Sequence, residues 1–490
     1  MKKLYQIMIF SLTLICLPLS VSAQTMEEKI KSLEATVERL QETLTEMRAE
    51  MEKSKATDMS EKGGVVRTDG ENITLSTTGG GLKLKSDNGN SFQFGGRLHL
   101  DYDDWDFDGD GDGSDSKWRR TRITAKGTVK KDWAYHLTIN VSDEGIDERN
   151  GTADINTGFF RYDGFKPMSI WVGKFKEPFS MERLASSNAI SAIERGMMLD
   201  VINEGHGHPH TAGVMLSGYH ADMGNLNWAF GVFDDNEKDG DDDTNYAYTG
   251  RIAAAPRINE DSFFHLGAAY SERERDGSES GAYTVRTRFN VNGSNVRPTL
   301  ASLPSGDDIS QWGLEGAFVT GPFSLQAEYV DLEVDGGNSQ NVRYDDDLDR
   351  NTPTILVRDG DNLIHYSDLE ADGYYIQGAW TITGEQRGYK TKGGYFGGIK
   401  PKGPMGAWEL VARYEEIDVE YGGALGNLPD NLPSGRRDSE AEKMLIGLNW
   451  YVNNNVRFML NYIDADSEIR GAAVDDIDGD AISLRAQYAF

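Results

Sequence analysis

The sequence predicts an all-β transmembrane barrel of about 16 antiparallel strands, preceded by a short N-terminal coiled-coil helix. Three observations lead there. From Phe92 onward, apolar and polar residues alternate with period two in one segment after another. Short and long polar connections take turns between these segments. A secretory leader opens the chain, and no apolar membrane helix follows it. Strands that are greasy on one face and wet on the other suit a closed wall with lipid outside and water inside.

Taken in order, Met1 to Ala23 is expected to be a signal peptide. Lys2 and Lys3 form its basic start, Ile7 to Val21 its apolar stretch, and Val21-Ser22-Ala23 a small-residue cleavage site. Cys16, the single cysteine, falls inside it, so the mature barrel is expected to hold its shape without disulfides. Residues 24–55 read as a periplasmic coiled coil. Met26, Ile30, Leu33, Val37, Leu40, Leu44, Met47 and Met51 recur at spacings of three and four. A lone amphipathic helix lying on a partner surface fits the same spacing. Residues 56–91 are rich in Gly, Ser, Thr, Asp and Lys and read as a linker. A small hairpin is possible around Ile73-Thr74-Leu75 and Leu82-Lys83-Leu84.

Residues 92–490 are the expected barrel. Phe92, Phe94, Leu98, Leu100 and Tyr102 alternate with Gln93, Arg97, His99 and Asp101. Later segments repeat the pattern, among them Phe323 to Tyr329, Trp408 to Tyr414 and Val456 to Tyr462. In the last, Ile482, Leu484, Ala486, Tyr488 and Phe490 take one face and Ser483, Arg485 and Gln487 the other. Short links fall at Lys131-Asp132, Gly164 to Pro167, Ala221 to Asn225, Pro256 to Asp261, Gly321-Pro322 and Asn453 to Asn455. Long ones fall near 106–117, 144–156, 176–209, 234–244, 273–308, 335–369, 421–440 and 467–480. Gly384 to Gly406 is a long connection where a short one is expected. A barrel of this size leaves an aqueous channel.

Composition narrows the function. A net charge of -30 disfavours nucleic acid, whose phosphates are held by basic surface. A mean hydropathy of -0.55 is too polar for a helical membrane protein. The acids crowd the expected loops, at Asp103 to Asp115, Asp234 to Asp243, Asp345 to Asp349 and Asp475 to Asp480. The inward strand faces carry the opposite sign. Between Trp118 and Lys131, the inward set is Arg120, Arg122, Thr124, Lys126, Thr128 and Lys130. Arg97, Arg251, Arg413, Arg457 and Arg485 fall on inward positions elsewhere, against Asp101, Glu328, Glu409 and Glu415. Basic walls in a low-dielectric sleeve concentrate anions. The third long loop is the expected constriction. Its Arg183 and Arg195 either face the opening or pair with Glu182 and Glu194.

Several stretches then resemble one family. They are Phe94-Gly95-Gly96-Arg97-Leu98, Trp118-Arg119-Arg120-Thr121-Arg122 and Gly127-Thr128-Val129 with Asp132-Trp133. Val172-Gly173-Lys174-Phe175-Lys176-Glu177-Pro178-Phe179 follows, continuing to Glu182-Arg183. Later come Thr383-Gly384-Glu385, Gly406 to Tyr414 and Asn449-Trp450-Tyr451. Over roughly 90–490 the chain resembles the phosphate-selective porin O and P family. The resemblance implies a 16-stranded trimeric outer-membrane porin, with an arginine ladder and a lysine-lined pore that takes up phosphate-type anions. Small anions, outer-membrane lipid, lipopolysaccharide and two further copies of the chain are then the expected partners.

Two patterns look like metal sites. Asp106, Asp108, Asp110 and Gly111 imitate the start of a calcium loop, but its twelfth position is Lys117 where a bidentate Glu is needed. His206, His208 and His210 alternate, and Pro209 favours a loop tip over a metal site. No metal, cofactor or catalytic residue is expected, and no hydrolase or nucleotide-binding motif is present. His99, His136 and His265 are the inward histidines a hidden hydrolase would need. The alternatives are a general or cation-leaning pore, and a surface adhesin that grips through its long loops.

Overall fold

In a computed structural model of the chain, the described residues are 65–68, 71–77, 81–108, 111–141, 153–206, 210–234, 245–275, 283–303, 306–336, 338–339, 364–366, 368–421, 424–425, 437–469 and 476–490. The expected signal peptide and coiled coil lie outside them. In the expected linker, Glu71–Ser76 and Leu82–Ser86 pair as a hairpin with Leu75 opposite Leu84.

Sixteen antiparallel strands close into a barrel. They are β1 Ser91–Phe107, β2 Gly111–Val129, β3 Trp133–Asn140, β4 Asp154–Tyr162, β5 Met168–Phe175, β6 Thr211–His220, β7 Leu226–Asp234 and β8 Tyr246–Ala254. Then come β9 Ser262–Arg273, β10 Gly306–Thr320, β11 Phe323–Gly336, β12 Leu369–Thr381, β13 Ala407–Tyr421, β14 Arg437–Tyr451, β15 Val456–Ile469 and β16 Ile477–Ala489. Each pairs with its neighbours in sequence, and β16 returns to β1 with Arg485 opposite Asp101. Phe490 completes the seam, its backbone N–H and C=O both bonded to Gly96 (3.1 and 2.8 Å). Closure satisfies every edge, which a bilayer demands. Among the described residues no helix is long and apolar enough to cross a membrane.

Alternation sets the two faces. On β16, Ile482, Leu484 and Tyr488 are exposed outside while Ser483, Arg485 and Gln487 are buried inside. Aromatic contacts mark the short-turn rim, with Trp133 tilted against Tyr162, Phe323 stacked on Trp380, and Trp408 on Trp450 on Phe458.

The wall differs from expectation in two ways. Within the acidic stretch 106–117, Asp106, Phe107 and residues 111–117 are strand rather than loop, because Trp105 and Phe107 carry the inward alternation of β1 upward. Phe107 is buried, and the Trp105 ring lies over Gly113 of β2, where a Cβ would stand 2.4 Å from it. Of the calcium-like run, Asp106 and Gly111 are strand residues paired across β1 and β2, Asp106 opposite Asp112 and Gly111 opposite Phe107, and Asp110 lies outside the described residues. Second, the polarity of alternation inverts along the later strands. Phe323, Leu325 and Tyr329 of β11 face out, opposite inward Ser324, Gln326 and Glu328. Above Tyr329 the outward residues are Asp331, Glu333 and Asp335, while inward Val330, Leu332 and Val334 are buried. β13 repeats this with Glu416, Asp418 and Glu420 outside and Ile417 and Val419 inside.

Two inward segments cover that apolar inner wall. The β5–β6 connection, residues 176–210, carries α1 Met181–Leu184 and α2 Met197–His206. The β9–β10 connection carries a hairpin, Tyr283–Arg286 with Thr299–Leu303. Met197, Val201 and Ile202 of α2 and Val285, Phe289 and Leu303 of the hairpin form one core with Ile309, Leu332, Ile417, Leu445 and Ile463 of the wall. Each such side chain contributes about 1.5–3 kcal/mol on burial. The long-loop half of the barrel beside β9–β16 is thus filled.

Candidate pore constriction

The remaining lumen is a cavity of about 1150 Å³ whose wall residues come from β1 to β8, closed on the other side by the inward segments. Its lining holds twelve Arg and Lys residues against two carboxylates, Glu194 and Asp200. The charge of -30 is therefore carried elsewhere, much of it on the outward strand tops.

Inward acids fasten the β5–β6 loop instead of lining the opening. Glu328 accepts the backbone N–H groups of Met181 (2.9 Å) and Glu182 (2.8 Å). Glu409 accepts Ser191 Oγ (2.9 Å), and Glu415 accepts the N–H of Met197 (2.6 Å) at the start of α2. A buried loop needs such partners for its backbone. The loop's own acids bind the wall in return, Glu182 to Arg413 (2.6 Å) and Glu194 to Arg119, Arg120 and Arg485 (3.2, 2.8 and 2.6 Å).

The predicted basic residues therefore divide. Arg413, Arg457 and Arg485 are inward but sealed behind the loop. Arg413 lies between Glu182 and Glu415 over the Tyr375 ring, Arg457 donates to Ile190 O and Gln487 Oε1, and Arg485 pairs with Asp101. Arg120 lines the cavity but is held bidentately by Glu194 (2.9 and 2.8 Å). Arg251 lines it too and is held by Glu315 (2.8 and 2.6 Å). Arg97 and Arg122 line the cavity on neutral partners, Arg97 with Ser187 Oγ (2.8 Å) and Arg122 with Asn140 Oδ1 (3.5 Å). Lys126 faces inward beside them and is exposed. Lys130 is a correction. It is an exposed turn residue with φ 49°, because β2 ends at Val129. Of the loop pair, Arg195 donates to the carbonyls of Glu182 (3.0 Å) and Ala185 (2.7 Å), and Arg183 is buried; neither pairs with Glu182 or Glu194.

Some lining residues escaped sequence reasoning. Arg119 reaches the lumen beside Arg120 because pairing skips a residue there, with His99 opposite Arg120 but Leu100 opposite Trp118. A bulge of this kind aims two consecutive side chains to one side. Lys390 and Lys392 come from the long connection at 382–406, which also folds inward. Arg251 holds it by the carbonyls of Gly393 (3.2 Å) and Gly394 (2.7 Å), and His265 bonds Tyr389 (2.6 Å). Gly388 permits the fold, since a Cβ there would stand 2.8 Å from Gly398 O. Its unusual length was the available signal. His99 bonds Asn188 and His136 bonds Thr138, and His210 lines the cavity. His206 ends α2, and 207–209 lie outside the described residues.

Ionisation in the loop follows burial. Burial pushes Asp200 up to about 7, against the pull of Arg288, Lys443 and Arg119. Burial, with the nearby Arg195, Arg97 and Arg122, holds Lys176 well below the usual lysine range.

A closed 16-stranded barrel with a basic, loop-narrowed lumen is an outer-membrane porin, and both fold and family point to a channel. The chain belongs to the family Phosphate-selective porin O and P, which matches residues 92–490. Porin O of Pseudomonas aeruginosa is 31% identical over 447 residues, covering 87% of this chain and 94% of that relative. An uncharacterized protein of Caulobacter vibrioides is 25% identical over 358 residues, covering 70% of this chain and 61% of that protein. Among solved structures, a loop L8 deletion mutant of OmpT from Vibrio cholerae is similar at 13% identity and a TM-score of 0.49, covering 82% of this chain and 100% of that one. The anion-selective porin from Comamonas acidovorans is similar at 12% identity and a TM-score of 0.47, with coverage of 82% and 100%.

Proposed function

We propose that this porin is a passive diffusion channel with a preference for anions, and that phosphate-type anions are among its solutes. The observation that carries the reading is the lining, twelve Arg and Lys side chains against two carboxylates. Of these cations, Arg97 and Arg122 bond only neutral oxygens. Field lines from such charges concentrate in a low-dielectric sleeve. Guanidinium forks suit phosphate and carboxylate. The family's description agrees with this solute class. The short-turn rim would face the periplasm, with residues 24–55 as a periplasmic coiled-coil stem and three barrels side by side in lipid and lipopolysaccharide.

The test is the reversal potential of the reconstituted protein in a KCl gradient. The parent should be anion-selective, and Arg97→Gln with Arg122→Gln should move it towards zero. A unit charge about 5 Å from a permeant ion at an effective dielectric of 20–80 contributes roughly 1–3 kcal/mol. The permeability ratio should therefore fall several-fold or more. A cation-selective parent, or a double variant that equals the parent, refutes the reading.

A further inference from the structure

One stretch of the cavity wall is aromatic. On β4 and β5 the inward residues Phe159, Trp171 and Phe175 pack as a trio. Their ring centroids lie 4.8 Å (Phe159 to Trp171), 5.9 Å (Phe159 to Phe175) and 5.7 Å (Trp171 to Phe175) apart. Gly173 lies between Trp171 and Phe175 on the same inward face and opposite Phe159, and a Cβ there would stand 2.7 Å from Phe159 Cα. Phe175 in turn meets Phe233 of β7 at 5.7 Å, and these two with Met215 of β6 are buried as the base of the trio. The Trp171 Nε1–H donates to Ser217 Oγ (2.8 Å), which fixes the indole.

Phe159 and Trp171 are only half-buried, and both line the large cavity. The apolar inner wall beside β9–β16 is different, because α2 and the 283–303 hairpin seal it. Ring surface left facing water costs free energy in proportion to its area. On a channel wall, a passing solute can cover it. Cations flank the rings. Arg161, inward on β4, lays its guanidinium over Trp171 at 4.8 Å and is held by Asp163 (2.7 Å). On the other side Lys126, His136 and Phe159 occupy one cross-strand row, with His136 against Phe159 at 5.4 Å. Lys126 is thus two strands from the ring, about 10 Å at ordinary strand spacing.

We propose that this aromatic shelf is a ring-binding subsite, and that aromatic carboxylates are among the solutes of the channel. The ring of the solute lies against Phe159 and Trp171 in the offset or edge-to-face arrangements that aromatic rings favour. Its carboxylate turns towards the cations of β1 and β2. An inorganic oxyanion carries no apolar surface for the shelf to meet. The subsite rests on the reading that anions enter the cavity, and adds a solute class to it.

The experiment places the purified full-length protein in a planar bilayer, with KCl on one side and potassium benzoate or potassium acetate on the other. Benzoate is the larger ion and diffuses more slowly, so a lumen without the subsite passes it less readily than acetate. The parent should pass benzoate at least as readily as acetate, or benzoate added to symmetrical KCl should block the chloride current where acetate at the same concentration does not. Phe159→Leu and Trp171→Leu keep apolar bulk but lose the ring face, and each should weaken that discrimination roughly threefold or more. The block is read on the parent alone, so a variant that fails to insert leaves a test in place. A parent that neither favours benzoate nor is blocked by it overturns the inference, as do inserted variants that discriminate like the parent. Selectivity in a plain KCl gradient is read separately. A cation-selective parent strikes the proposed function, whereas an anion-selective parent indifferent to benzoate strikes this subsite alone.

Discussion

Glu194→Gln should loosen the constriction loop and raise anion preference together. Glu194 receives three guanidinium groups, from Arg119 (3.2 Å), Arg120 (2.9 and 2.8 Å) and Arg485 (2.6 Å). An amide keeps one acceptor oxygen but loses the charge and turns NH₂ donors towards cations. Removing one partner of a buried pair costs about 3–5 kcal/mol, since the remaining charges stay desolvated. Arg485 keeps Asp101 at 2.6 Å, which places the expected cost near the lower figure, at about 3 kcal/mol. That is roughly a hundredfold change in the balance between docked and undocked loop. Single-channel recording in symmetrical KCl reads the loop as conductance and open-channel noise, and a KCl gradient reads the charge. The variant should be noisier and more conductive, with its reversal potential moved further towards chloride. Glu260→Gln, on an exposed turn, serves as the control. A quiet Glu194→Gln channel with parental conductance would show that the three arginines do not hold the loop.

Asp200 should make selectivity depend on pH. Its carboxyl is pushed up to about 7 by burial, so the charge appears at the cavity wall only above that value. Anion preference should decline as pH rises through 7, and Asp200→Asn should abolish the decline. For stability the sign is the same. A folded-state pKa above the unfolded value near 3.9 means a penalty that is absent below about pH 4 and complete above about pH 7, so Asp200→Asn should raise the denaturation midpoint at pH 8 more than at pH 4. Lys390→Ala with Lys392→Ala should lower phosphate flux in liposome swelling while leaving the denaturation temperature within a degree or two. Tyr389→Phe removes the hydroxyl bonded to His265 and should destabilise by about 1 kcal/mol, read as a lower midpoint in denaturant.

Which face of each strand meets lipid was legible in the sequence, because side chains alternate strictly and the bilayer tolerates only one kind of face. The β16 pattern from Ile482 to Phe490 needed no structure to orient it, and neither did Arg97 or Arg122. The inversion above Tyr329 was also written there, as Val330, Leu332 and Val334 set against Asp331, Glu333 and Asp335. Its meaning was not, because an apolar inner wall makes sense only once something is known to lie against it. Residues 176–210, 283–303 and 382–406 are held inward by long-range contacts, such as Glu328 to the Met181 N–H and Arg251 to Gly394 O. No local propensity encodes such contacts. They decided that Arg413, Arg457 and Arg485 brace the loop, that Lys390 and Lys392 reach the opening, and that a bulge brings Arg119 in beside Arg120. Alternation determines a wall residue by residue, whereas the shape of the opening depends on partners hundreds of residues apart, and only the tertiary structure brings those together.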